Sequence, residues 1–577
     1  MTDTRPARPA AVAWTPGARP EYRRSVIPVP DLLHPRPRLA LDGKALAELL
    51  ETSFLGGGGA DNLEQALAAG SGPRSTWRPE FFRHDLFLDD LVEDCLQVWV
   101  GSERLPVNQI YLRGTLAHAP GDLDTVLFRQ AILRELDSSP KLRRQAEALY
   151  RDLFVLLSLF KASHKRARLD ITLFRLEILE QAQKAIRRMA AGFGDATSGL
   201  ARLHETADRI LETPEYKTLA ALLDYDNHLA RLTFRMRLGA DGKIRNLELQ
   251  ELTENRRNPF YRPPWRRLRD RLSLLRRGFE FTNKEMVGRV VHQVFLQISD
   301  WLKPLFQVLS HLGFYLAATS FRRRAEEAGL AVSLPTFGND EPLALEGLFN
   351  PLLFRQGTPV PCSLTVRHRD AVLVITGPNS GGKTRLLQAV GISQVLGQSG
   401  LYVPAAHARL PLVDGLFASA TERASVDQRE GRLGTELLRI RELFESLGSR
   451  SLVLMDELCS GTNPSEAEEI FLMVLRLLEK PRPVALITTH FLDFARRLEL
   501  DPPVPGLEFL QVEMDPDGQH STYQFVPGVA DTSLATHTAR RLGVTLEELS
   551  RLMERRAAHD GPERSTDGPL PLPARRG

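Results

Sequence analysis

The sequence predicts an α + α/β molecule, an extended helical domain followed by a P-loop NTPase domain. From about Asp85 to Leu330 apolar residues recur at helical spacing. After Pro335 the texture changes to short apolar runs bounded by Gly and Pro and alternating with helices, as in a wound sheet. One of those runs, Ala371 to Thr376, leads through a glycine-rich loop into a helix. At 577 residues the chain is also too long for one ordinary core.

Composition narrows the function classes. Hydrophobic residues make up 42% and charged residues 25%, a globular balance that excludes wholesale disorder. The 75 basic residues nearly cancel the 72 acidic ones, leaving +3, so any case for nucleic acid rests on local patches. Cys95, Cys362 and Cys459 are scattered and never at metal-ligand spacing, which argues against a disulfide framework or a zinc site. No apolar run reaches the roughly 18 to 20 residues that cross a bilayer. Met1 to Ala10 has arginines but no apolar segment behind them, unlike a secretory signal. The expectation is a soluble, cytoplasmic protein with no membrane attachment.

Taken in order, residues 1–38 are rich in Pro, Arg and Ala without apolar periodicity, and read as a disordered arm. Residues 39–335 read as the helical domain. Gly56 to Gly59 and Gly70 to Arg74 are plain linkers, since neither lies between an apolar strand and a helix. Leu133, Leu136, Leu142, Leu149, Leu153, Leu156, Leu157 and Phe160 mark one long helical segment. Further helical stretches run from Ile171 to Met189, Ser198 to Leu223 and Lys284 to Ala325, the last with Pro304 as a kink or boundary. A hairpin interrupts them, with Arg231 to Leu238 and Ile244 to Leu249 flanking Gly239 to Gly242. In residues 336–542, Ala371 to Thr376, Ser451 to Met455 and Val484 to Thr488 are the buried strands. Residues 559–577 return to Pro, Arg and Gly and read as a disordered tail.

The chemistry is carried by three strand ends. Gly377, Pro378, Asn379, Ser380, Gly381, Gly382, Lys383 and Thr384 spell a complete Walker A loop between the strand Ala371 to Thr376 and a helix from about Gly382 to Leu396. Glycines there let backbone N–H groups converge on phosphate oxygens, and the helix N-terminus adds partial positive charge. Lys383 is the candidate bridge between β- and γ-phosphates, and Thr384 supplies a hydroxyl to Mg²⁺. Ser451 to Met455 is an apolar strand ending in Asp456 and Glu457, a Walker B element. Asp456 is the metal-side carboxylate, and Glu457 orients or deprotonates the attacking water. The third strand, Val484 to Thr488, is followed by Thr489 and His490, which places a histidine where ligands bind in such sheets, against the γ-phosphate or the lytic water. Together these elements specify binding and hydrolysis of ATP with Mg²⁺.

These residues also carry a family resemblance. Ile375 to Asn379 running into Gly381 to Thr384, Gly400 to Ala405, Leu454 to Leu458, Ser460 to Thr462 and Thr488 to His490 resemble the MutS family of DNA mismatch-repair ATPases. The likeness covers Asn350 to about Met553, with weaker traces at Ile110 to Arg113 and Phe128 to Ile132. It implies an ABC/MutS-type ATPase fold behind a core-and-lever region, and a homodimer with two composite ATP sites. A loop from the partner subunit completes each site, and the matching stretch here is Asp427 to Thr435. The family's serine is replaced by Gly431 to Thr435, which leaves Thr435 and backbone amides to contact nucleotide in trans. Ser380 stands where the family usually has methionine, and no aromatic adenine platform is evident near Pro359 to Cys362. Residues 543–558 resemble the family's C-terminal helical dimerisation element. No mismatch-reading module and no Smr-type nuclease domain is recognisable, so the expectation is a minimal relative.

For DNA the richest patch is Arg256 to Arg277. It holds Arg256, Arg257, Arg262, Arg266 and Arg267 among its arginines, interleaved with Phe260, Tyr261 and Trp265. Such a patch grips phosphates and stacks on bases; the competing reading is a solvated face in an arginine-rich chain. It lies near the clamp expected at residues 231–277. A second cluster comprises Lys161, His164, Lys165, Arg166 and Arg168. The function this implies is a dimeric ATP-controlled clamp on mismatched or distorted, branched DNA, serving mismatch repair or recombination. The alternative is a MutS-like ribosome-associated ATPase in translation quality control. A transporter or chromosome-structure ATPase would carry a Leu-Ser-Gly-Gly-Gln type signature between Gly400 and Asp456, and none is found.

Overall fold

The computed structural model describes residues 27–57, 62–68, 75–224, 230–238, 244–254, 283–338, 342–378, 381–419, 432–459, 463–517, 520–531 and 543–559. For residues 163–170, 172–173, 230–238, 244–254, 283–290, 432 and 557–559, the description is of backbone only. The helical half opens with α1 (Gly43–Phe54), α2 (Leu63–Ala68) and α3 (Leu88–Cys95), then a small hairpin of β1 (Val98–Val100) and β2 (Glu103–Leu105). Next come α4 (Gln109–Ala117), α5 (Leu123–Ser138), α6 (Pro140–Lys161), α7 (Ser163–Gly192), α8 (Ala201–Glu212) and α9 (Pro214–Leu223).

Side-chain caps fix most of these starts. Asp42, Asn108, Asp122, Ser139 and Thr213 each accept backbone N–H groups that the first turn leaves free. Pro140 and Pro214 occupy first-turn positions, where a missing N–H costs nothing. The periodicity that read as continuous across Leu133 to Phe160 and across Ser198 to Leu223 is therefore cut into two helices each time, at Ser139 and Thr213.

The hairpin is present as β3 (Ala230–Leu238) antiparallel to β4 (Ile244–Glu254), whose second strand runs beyond the expected Leu249. It feeds α10 (Asn283–Glu327), a single helix of 45 residues. Pro304 lies inside α10, so the boundary considered there does not exist. Phe295, Trp301, Phe306, Leu309, Leu312 and Tyr315 are buried along the same helix, and this packing outweighs the one hydrogen bond that proline removes.

The expected disordered arm at residues 1–38 is corrected in its last part. Leu32 and Leu33 are buried, and the Leu32 N–H donates to His311 Nδ1 at 3.1 Å. Arg202 donates to the carbonyls of Asp31, His34 and Pro35 at 2.5–2.7 Å. A proline-rich stretch cannot satisfy its own carbonyls, and here a guanidinium on α8 does so; composition alone gives no sign of that.

The second half contains two sheets. The larger runs β10-β11-β12-β8-β13-β14, built from β8 (Val372–Thr376), β10 (Gly415–Ser419), β11 (Ser451–Met455), β12 (Val484–Thr488), β13 (Leu507–Met514) and β14 (Ser521–Pro527). All its pairings are parallel except β13 with β14. The smaller sheet, unexpected from sequence, orders β5 (Thr336–Phe337), β9 (His407–Leu410), β6 (Ala344–Leu348) and β7 (Cys362–Thr365). The helices are α11 (Lys383–Gln398), α12 (Arg432–Ser446), α13 (Pro464–Leu478), α14 (Leu492–Leu500) and α15 (Leu546–His559).

Every residue of β8, β11 and β12 is buried, as expected for central parallel strands covered on both faces. Val372, Val374, Val453, Met455 and Ile487 face Ile440, Leu443, Phe471, Val474, Phe494 and Leu498 from α12, α13 and α14. The alternate residues Leu373, Ile375, Leu452, Leu454 and Leu486 belong to the core that continues into the helical half. The halves thus share one hydrophobic core. Residues 75–95, expected within the helical domain, in fact pack on the α/β half: the Trp77 Nε1–H donates to the Val413 carbonyl at 3.1 Å, and Phe81 meets Phe417 of the edge strand β10 at 5.5 Å.

Candidate functional site

The site lies at the C-terminal ends of β8, β11 and β12, where parallel sheets present their ligand edge. The turn after β8 needs glycine for two reasons. Gly377 has φ 137° and Gly382 φ 87°, both in the region L side chains avoid. A Cβ on Gly377 would also stand 2.7 Å from Val512 Cγ2 of β13, and one on Gly382 3.2 Å from the Tyr523 ring of β14. The turn is therefore pressed against the β13–β14 pair while its end opens α11.

Lys383 begins α11 and is almost wholly buried. Its ammonium donates to the carbonyls of Gly377 and Pro378 at 2.9 and 3.0 Å, folding the side chain back across the turn. Burial pushes its pKa down, while the carboxylates of Glu457 and Asp456 oppose that shift. The next residue, Thr384, donates its hydroxyl to Asp456 Oδ2 at 2.5 Å. Thr488, the last residue of β12, donates to Asp456 Oδ1 at 2.6 Å and accepts the Glu457 N–H at 2.8 Å. Burial raises the Asp456 carboxyl above the usual carboxylate range, against those two hydroxyl donors.

The chain turns sharply after β11. Glu457 at φ 47° and Cys459 at φ 58° both adopt left-handed backbone, each at a cost of order 1 kcal/mol or more. The Glu457 carboxylate remains close enough to act electrostatically on both Lys383 and Asp456. His490 is half-buried at the end of β12, its ring 4.1 Å from that of Phe491. β12 lies between β11 and β8, so His490 follows the strand flanked by the glycine turn and the Asp456–Glu457 tip.

The oxygen set suits a small hard cation. One hydroxyl and one carboxylate converge, leaving the remaining positions for phosphate oxygens and water, which is how Mg²⁺ is commonly held. Among the described residues no cluster of three or more His, Cys, Asp or Glu offers a metal cage made by protein alone.

Comparison with known proteins meets this geometry. The family profile for MutS domain V matches residues 373–554, from within β8 to α15. Residues 373–554 of the chain are thus similar to MutS domain V. The chain is 31% identical over 280 residues to the endonuclease MutS2 of Thermomicrobium roseum, covering 47% of the chain and 34% of the relative. It is 29% identical over 389 residues to the endonuclease MutS2 of Thermus thermophilus, covering 65% and 49%. The Streptococcus uberis endonuclease MutS2 is 30% identical over 258 residues, covering 44% and 32%. The matched part thus spans a third to a half of the length of these relatives.

The structure brings Gly377, Gly381, Gly382, Lys383, Thr384, Asp456, Glu457 and His490 to one edge of one sheet. Thr435 sits half-buried in the first turn of α12. Asn379, Ser380, residues 427–431, and Arg256, Arg257, Arg262, Arg266 and Arg267 lie outside the described residues, as do the side chains of His164, Lys165, Arg166 and Arg168. Two contributors escaped sequence reasoning. Thr488 anchors Asp456, and its signal was available: β8 and β12 both end in Ile-Thr. Tyr523, at φ 59°, is held against Gly382 from 141 positions later in the chain, where local sequence carries no such sign.

Proposed function

We propose that this chain is a Mg²⁺-dependent ATPase of the MutS type whose nucleotide cycle is coupled to DNA. The observation that carries the reading is the hydrogen bond from Thr384 to Asp456, which joins the glycine turn to the acidic strand tip with Lys383 buried beside both. In this reading backbone N–H groups of Gly377 to Thr384 hold the phosphates, and Lys383 exchanges its two carbonyl partners for β- and γ-phosphate oxygens. Thr384 and Asp456 hold Mg²⁺, which supplies charge neutralisation on the phosphates when bound. Glu457 takes the proton of the attacking water, and His490 contacts the γ-phosphate or that water. The half-exposed Tyr523 ring offers the base a stacking face, an aromatic contact absent from Pro359 to Cys362.

The active unit is a homodimer in this reading, with Thr435 completing the partner's site. It is supported by α15, where Leu546, Leu549, Leu552 and Met553 stand exposed at helical spacing, an apolar row left uncovered in one chain. The ligand is mismatched or branched DNA, held through Arg256, Arg257, Arg262, Arg266 and Arg267, and the pathway is mismatch repair or recombination. The endonuclease activity in the relatives' names is not carried over, because the alignments cover under half of their length.

The deciding experiment titrates the protein with a fluorescent ATP analogue and Mg²⁺, with homoduplex, mismatched and branched DNA at two salt concentrations. Lys383→Ala should lose nucleotide binding. Glu457→Gln should bind ATP but turn it over at least about a hundredfold more slowly. Native turnover in Glu457→Gln would remove that residue's role, and absence of Mg-ATP binding by the wild type would end the reading. Salt-insensitive DNA binding with co-sedimentation on ribosomes would favour the translation alternative instead.

A further inference from the structure

We propose that Asp85 and Arg439 are positioning residues that fix the helix bearing Thr435 in register with the strand tip that carries Asp456; the inference rests on the ATPase reading above. Asp85 belongs to the segment between α2 and α3, yet it is fully buried against the α/β half. Its carboxylate accepts from Arg439 NH2 of α12 at 3.1 Å. The same guanidinium donates through NH1 to Ser419 Oγ at 3.0 Å. Ser419 ends β10, and its carbonyl accepts the Asp456 N–H at 2.8 Å. One planar fork thus joins the segment ahead of α3 to the strand tip that carries the metal-side carboxylate.

Thr435 lies four residues before Arg439 on α12, one helical turn away on the same face. Ile440 and Leu443 are buried and Leu433 and Phe444 pack half-buried on the same core, while Leu437 and Leu438 are exposed, so apolar contact holds one face of this helix. A rigid bidentate cation is well suited to fix such a helix in register, because its two donors leave in fixed directions. The segment that presents Asp85 is itself firmly docked. Trp77 donates to Val413, Phe81 packs on Phe417, and Leu86 fills the space above Gly391 of α11. Asp85 is therefore a fixed anchor, and loss of its contact with Arg439 releases Thr435 on one side and the support of Asp456 on the other.

The test is a double-mutant cycle on ATP turnover in the full chain, with nucleotide affinity followed by fluorescent ADP. Asp85→Asn and Arg439→Gln should each lower kcat about tenfold with affinity within about twofold, since neither residue touches nucleotide in this reading. The double variant should be no worse than either single one, as residues acting through one contact do not add. Ser419→Ala, a smaller change, should retain the wild-type melting temperature and still lower kcat. Arg439→Lys should fall between wild type and Arg439→Gln, because a lysine keeps the charge without the fork. Native turnover in folded Ser419→Ala, or multiplicative effects in the double variant, would overturn the assignment. If the wild type itself fails to bind Mg-ATP, the ATPase reading falls and not merely this device.

Discussion

Asp456 is held between opposing influences, and their balance makes it a poor residue for stability. Burial raises its pKa, and the hydroxyls of Thr384 and Thr488 offset only part of that. The folded carboxyl therefore holds its proton more tightly than the unfolded one. Stability falls as pH rises from the unfolded value through the raised one, and at neutral pH the whole cost stands. Asp456→Asn should accordingly melt no lower than wild type at pH 7 without nucleotide, while losing Mg²⁺-dependent turnover. A melting temperature several degrees lower would show the carboxylate to be a net stabiliser. The opposite sign holds at His311. Its Nδ1 accepts the Leu32 N–H, so the ring is neutral, and burial pushes its pKa down to about 4. Unfolded histidine takes up a proton near pH 6.5, so stability should drop as pH falls from there to about 4, by about 2 kcal/mol at pH 5. Neighbouring Asp31 is raised by burial, but the His34 hydrogen bond, the charges of His311 and His34 and the Leu33 N–H together hold the carboxyl at about 2, so its contribution is lost only below about pH 4. Urea midpoints at pH 7 and 5 should thus differ in wild type, and much less in His311→Asn.

At the level of elements, close approach decides what helix propensity would not. Alanine in place of glycine inside a helix ordinarily gains about 1 kcal/mol. At Gly391 of α11 a new Cβ would lie 2.6 Å from Leu86 Cδ2 and 2.9 Å from Leu454 Cδ1. Overpacking at such a contact costs about 1–3 kcal/mol, so Gly391→Ala should be destabilised in denaturant titrations despite the better helix former. Elements legible in the sequence were those with one dominant signal: β8, β11 and β12 are continuous apolar runs ending in polar residues. The small sheet was not, because strands of two to five residues, with few of their side chains fully buried, leave no period to count. The breaks at Ser139 and Thr213 were written as Ser-Pro and Thr-Pro but hidden by the leucine periodicity that continues on either side. For the site, adjacency in sequence made Lys383, Thr384, Asp456 and Glu457 readable, whereas Thr488, Asp85 and Tyr523 act through contacts that only the fold creates.

For the whole molecule, the uncovered row on α15 predicts association. Leu546 is 85% exposed and Met553 73%, more than a lone chain gains by leaving them in water. Light scattering across a concentration series should show a dimer, and Leu546→Glu with Met553→Glu should shift it to monomer with unchanged melting of the α/β half. A variant that remains dimeric would move the contact elsewhere. No described helix is long and apolar enough to cross a membrane.

The unbroken course of α10 past Pro304 has a mechanical consequence. At 1.5 Å per residue its 45 residues make a rod about 67 Å long. Its C-terminal end enters the shared core beside the α/β half, and its N-terminal end follows the strand pair 230–254. A tilt of about 5° at the first end displaces the second by about 6 Å, roughly one helical turn. A small rotation at the core end is thereby multiplied, at the far tip, into a displacement of several ångströms.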